Sequence, residues 1–103
     1  MSSPEREVMH IVLFEWKPDA TPASIEAAVE ELRALKDKVP GILELTIGTD
    51  FSTRARNFSH ALVVRFTNRE SLEVYGPHPA HDRVVQNFVR PISKDVMAFD
   101  YEI

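Results

Sequence analysis

Glu7-Val8-Met9-His10-Ile11-Val12-Leu13-Phe14-Glu15-Trp16-Lys17 is the stretch that decides the fold. Its residues alternate between two sets, His10, Val12, Phe14 and Trp16 against Met9, Ile11 and Leu13. A period of two marks a strand, and apolar residues in both sets mark one covered on both sides. In a chain of 103 residues, helices can be spared for only one face of a sheet. The stretch is then either an ordinary central strand or one whose second face meets a second sheet, supplied by another copy of the chain.

Working outward, Asp19-Ala20-Thr21-Pro22 opens a helix, with Thr21 as N-cap and Pro22 at the first helical position. Ile25, Ala28, Val29, Leu32 and Leu35 recur at helical spacing, and Pro40-Gly41 stops the run. Ile42 to Phe51 and Phe58 to Phe66 read as strands around a polar loop. The second of them sets His60, Leu62, Val64 and Phe66 on one face. Thr67-Asn68-Arg69-Glu70 has the spacing of a capping box and predicts a short helix through Tyr75.

Gly76-Pro77 interrupts that helix, and Pro79 restarts another, capped by His78, with His81, Val84 or Val85, and Phe88 on its inner face. Pro91 ends it, and Asp95 to Glu102 is the last strand. The order β-α-β-β-α-α-β predicts an α+β, ferredoxin-like domain over residues 8–103, preceded by a polar tail over residues 1–7.

Composition narrows the function. There is no cysteine, which removes thiolate nucleophiles, disulfides and Cys-ligated metals. The formal net charge of −4 and the scattered basic residues give no footprint for nucleic acid. No apolar run approaches membrane length and the first residues lack a signal-peptide core, so a soluble, cytoplasmic domain is expected.

All four histidines fall at semi-buried places in the pattern. His10, His60 and His81, together with Tyr75, are expected to converge on one apolar cavity. Imidazole titrates near pH 6.5 and can exchange protons at neutral pH, while a phenol can hydrogen-bond a carbonyl or an enolate oxygen. The opposing reading is that each histidine is a hydrogen-bonded core residue. His78 and His81 alone make a weak metal site, and no metal is expected.

His10-Ile11-Val12-Leu13-Phe14, Pro40-Gly41-Ile42, His60 to Phe66, Tyr75-Gly76-Pro77-His78-Pro79-Ala80-His81 and Phe99-Asp100-Tyr101 together resemble the stress-responsive A/B barrel family. That resemblance runs from His10 to Tyr101. It implies a ferredoxin-like domain that pairs two sheets into a dimeric α/β barrel, hence a homodimer. It also brings in the family's plant polyketide cyclase that makes olivetolic acid, which closes its substrate by an intramolecular aldol step without cofactor or metal. By motif, Tyr75 and His81 are similar to its catalytic pair, and His10 and His60 to its further pocket histidines. Ala28 and Val29 stand where that cyclase carries two Phe, and Gly76-Pro77 replaces two aliphatic residues.

Two functional readings follow. In the first, the chain performs cofactor-free acid–base chemistry, as an aldol-type cyclase or lyase, on a small hydrophobic carbonyl compound such as a polyketide or β-keto derivative. His81 is then the base, Tyr75 the enolate donor, His10 the group that fixes the His81 tautomer, and His60 an orienting residue. Val12, Ala28, Val29, Leu62, Val84 and Phe88 are expected to line the ligand pocket. In the second, the chain is a non-catalytic dimer of stress or ligand-binding type.

Overall fold

The computed structural model describes residues 5–103. Its strands are β1 (Val8–Trp16), β2 (Ile42–Thr49), β3 (His60–Phe66) and β4 (Ser93–Glu102). They form one antiparallel sheet in the order β2-β3-β1-β4. Helices α1 (Pro22–Arg33), α2 (Arg69–Tyr75) and α3 (Pro79–Val84) pack against one face of it. This is the ferredoxin-like α+β order that the alternation and breakers predict.

The core lies between that face and the helices. Val8, Val12 and Phe14 of β1 and Leu62, Val64 and Phe66 of β3 meet Leu32, Leu35, Tyr75, Val84 and Val89. Thr21 caps α1 by accepting from Ser24 N at 3.1 Å, and Ser24 Oγ accepts from Thr21 N in return. Such reciprocal caps contribute about 1 kcal/mol. The last turn of this segment tightens into a 3-10 turn over Ala34–Asp37. Gly41 then turns the chain at φ +88, pressed so close to α2 that a Cβ there meets Ser71 Oγ at 2.6 Å.

Several boundaries differ from the sequence reading. The N-cap of α2 is Asn68, not Thr67: Asn68 Oδ1 accepts from both Ser71 N and Ser71 Oγ, while Thr67 N is drawn to Gly41 O. β2 stops at Thr49 because Asp50 turns the chain, its carboxylate accepting from Ser52 N. β4 begins two residues early, at Ser93, through a bulge opposite Glu15 and Trp16. The largest departure follows α3, where Val85–Val89 forms a π turn and Arg90–Ile92 a 3-10 turn. Pro91 has no N–H to continue an α-helical ladder, and the helical segment ends in the 3-10 turn that contains it.

Of the expected polar tail, residues 1–4 lie outside the described residues. Glu7 is anchored, its carbonyl accepting from Ile103 N and its carboxylate from Arg65 Nη1. Among the described residues no helix is long and apolar enough to cross a membrane. The face of the sheet away from the helices carries Met9, Ile11 and Leu13 beside Tyr101, Phe99 and Met97, their direct partners on β4. Phe99 is 66% exposed there.

Candidate functional site

A cavity of about 340 Å³ opens between the sheet and the helices. β1 contributes His10, Val12 and Phe14, and β3 contributes Leu62. Leu32 comes from α1, Tyr75 from the last turn of α2, and His81 from α3. The segment after α3 adds Val85, Val89 and Arg90, and β4 closes the wall with Ser93, Val96 and Ala98. Arg90, Val96 and Ala98 are exposed, so the opening lies on the β4 side.

Tyr75 is 1% exposed, and among the described residues its hydroxyl has no hydrogen-bond partner. Burial raises its pKa, so the phenol stays protonated at neutral pH and keeps a proton to donate. The break at Gly76-Pro77 turns α3 back so that the His81 ring lies 4.2 Å from the Tyr75 ring, centroid to centroid. His81 Nδ1 donates to Gly76 O at 2.9 Å, which leaves Nε2 as the basic nitrogen. Burial pulls its pKa below the ordinary value of 6.5, the Gly76 bond opposes that, and His10 nearby lowers it further. The imidazole is therefore a neutral base at pH 7.

The Gly76 carbonyl, not His10, thus fixes the His81 tautomer. His10 is occupied by a partner absent from the sequence reading: its Nδ1 donates to Asp100 Oδ1 of β4. The antiparallel register sets His10 opposite Asp100. Its ring packs edge-on to Tyr75 at 5.8 Å.

His60 is not brought to this cavity. In the β1–β3 register His10 faces Val64, whereas His60 faces Phe14. The two histidines share a face but stand four residues apart along the strands, roughly 13 Å. His60 Nδ1 accepts from Trp16 Nε1 at 2.9 Å, with Ser59 Oγ also 2.9 Å away, and Nε2 reaches Thr49 Oγ1 at 3.3 Å. It borders a separate cavity of about 400 Å³ at the β2–β3 loop.

The expected apolar lining is divided in the same way. Val12 and Leu62 do face the cavity. Ala28 is sealed in the core at 0% exposure and Val29 packs on its margin, so α1 reaches the cavity through Leu32 instead. Val84 is likewise core, and Phe88 packs under the Arg83 guanidinium at 5.4 Å. The π turn, with more residues per turn than an α-helix, replaces Phe88 on the cavity face by Val85, Val89 and Arg90. His78 caps α3, its Nδ1 accepting from Ala80 N at 3.1 Å.

Residues 8–103 match the stress responsive A/B barrel domain family. The chain belongs to that family. A curated relative, a stress-response A/B barrel domain-containing protein of Arabidopsis thaliana, is 38% identical over 97% of this chain and 38% of its own length. The chain spans under half the length of the curated relatives it matches. Among solved structures, the hydroxynitrile lyase of Passiflora edulis superposes with a TM-score of 0.87 at 23% identity, covering 97% of this chain and 95% of that one. A dimeric ferredoxin-like protein of Thermobifida fusca superposes with a TM-score of 0.85 at 24% identity, over 96% and 92%. These likenesses place this A/B barrel chain in the ferredoxin-like fold.

Proposed function

We propose that this A/B barrel domain is a cofactor-free acid–base catalyst acting on a small carbonyl compound in the cavity. The observation that carries the reading is that Tyr75 and His81 line one cavity, the Tyr75 hydroxyl buried without a partner among the described residues and His81 Nε2 left free by the Gly76 bond. An unmade hydrogen bond in a buried place costs about 1–3 kcal/mol, and a ligand carbonyl would recover it.

His81 Nε2 removes a proton α to a carbonyl, and the enolate oxygen accepts from Tyr75 Oη. For an aldol closure, the enolate carbon forms a bond to a second carbonyl carbon of the same chain. The resulting alkoxide takes back the proton from His81, so no proton is gained or lost. Asp100 holds His10 as part of the wall. A solved structure of the same fold is named a hydroxynitrile lyase, which supports the fold's capacity for catalysis.

The same reading includes a homodimer, supported by the exposed row Met97, Phe99 and Tyr101 beside Met9, Ile11 and Leu13. Neighbours of this fold are described as dimeric. A chain without cysteine also suits the cytoplasm.

The test is a screen of linear poly-β-keto thioesters and β-keto acids against wild type, His81→Ala and Tyr75→Phe, with products read by mass spectrometry. Turnover by wild type that falls about 10²–10⁴-fold in His81→Ala supports the reading. Binding without turnover, unchanged by His81→Ala, returns the cavity to ligand storage.

A further inference from the structure

The cavity is apolar along most of its wall, and one full charge stands at its opening. Arg90 lines it from the segment that the π turn rotates inward. Among the described residues no carboxylate lies within ion-pair distance of Arg90, whereas Arg33, Arg65, Arg69 and Arg83 each have one. Its Nη1 donates to Gln86 Oε1 at 3.1 Å, a neutral acceptor that leaves most of the guanidinium free. A second cation stands close by, with Lys17 Nζ donating to Pro91 O at 3.1 Å. Tyr75, whose buried hydroxyl has no hydrogen-bond partner among the described residues, lines the same space.

We propose that Arg90 selects the ligand by charge: the compound that fills this cavity is a short oxo acid, its carboxylate on Arg90 and its carbonyl toward Tyr75. The proposal rests on the acid–base reading of the cavity and adds the chemical class of its substrate. Two polar demands on one apolar space match a molecule with two polar ends and a hydrocarbon middle. A planar guanidinium takes a carboxylate in paired hydrogen bonds, which a neutral carbonyl compound cannot supply. A polyphosphate-bearing carrier fits less well, since one arginine and a neighbouring lysine face it on a chain of net charge −4.

The experiment compares binding of 4-oxopentanoate and 6-oxoheptanoate with their methyl esters, by titration calorimetry, to wild type, Arg90→Gln and Arg90→Lys. The expected result is that an acid binds wild type about three- to tenfold more tightly than its ester. That preference should vanish in Arg90→Gln, return in part in Arg90→Lys, and shrink at about 1 M salt, where the screening length falls to roughly 3 Å. Tyr75→Phe should weaken acid and ester alike. Equal binding of acid and ester by wild type, or a preference that survives Arg90→Gln, overturns the role of Arg90 and leaves the Tyr75–His81 reading standing. Failure of all four probes to bind wild type overturns both. Coenzyme A displacing the oxo acid from wild type but not from Arg90→Gln would reassign the anion to phosphate and overturn the carboxylate.

Discussion

The rings of Tyr75 and His81 lie 4.2 Å apart, centroid to centroid, with no hydrogen bond between them. His81 turns Nδ1 to the Gly76 carbonyl instead. Within the protein the phenol therefore gains nothing from its hydroxyl. Tyr75→Phe is expected to melt at or slightly above the wild-type temperature, because removing an unpaired buried polar atom relieves up to about 1–3 kcal/mol. A melting point several degrees lower would show that the hydroxyl has a partner in the folded protein.

The pH dependence of His81 has a definite sign. Burial holds its pKa in the folded chain below 6.5, so the unfolded chain binds more protons as pH falls through that region. The stability associated with a neutral His81 is complete above pH 6.5 and is lost as pH falls through the folded value. An NMR titration of the His81 ring should give a midpoint below that of a free imidazole. A midpoint above 6.5 would remove the case for a neutral base.

Trp16, the chain's one tryptophan, reports on His60. Its Nε1–H donates to His60 Nδ1, and desolvation lowers the His60 pKa. Protonation places a hydrogen on that nitrogen and breaks the bond. Tryptophan emission should therefore change in acid, with a midpoint below 6.5, and the transition should be missing in His60→Phe. Emission independent of pH from neutrality down to the onset of acid unfolding would mean that the bond does not form.

Gly41→Ala should be costly although the added group is one methyl. Its φ of +88 disfavours any side chain, and the new Cβ meets Ser71 Oγ at 2.6 Å. The expected loss is about 1–3 kcal/mol, read as a drop of several degrees in a thermal melt. An unchanged melt would mean that the β2 entry and α2 are not in contact.

Dimerisation is testable without unfolding the chain. Light scattering should give a mass near twice 11.7 kDa. Phe99→Asp, at a position 66% exposed in the isolated chain, should halve it while far-ultraviolet dichroism stays unchanged. Ile11→Asp, in the middle of the same face, should also lower stability, because it buries a charge against β4. A monomeric wild type would sink the barrel.

Local signals were sufficient for much of this. The alternation at His10 to Trp16, the Thr21-Pro22 start, and the breaks at Gly76-Pro77 and Pro91 determine element order, because each depends on a few neighbouring residues. They also set Tyr75 and His81 on either side of one short break, and the structure brings those two together. The partner of His10 was half legible, since Asp100 shares the alternation of Val96 and Ala98 on β4. Only the register, however, sets it opposite His10. Register likewise separates His60 from His10, because the same face of a sheet extends further than one cavity. The exchange of Phe88 for Val89 and Arg90 depends on a π turn, whose wider hydrogen bonds leave no period in the sequence. Sequence by itself thus determined which elements form and which faces they bury. Tertiary structure alone decided which polar groups meet, because strand register and helix winding are settled by packing across the whole core.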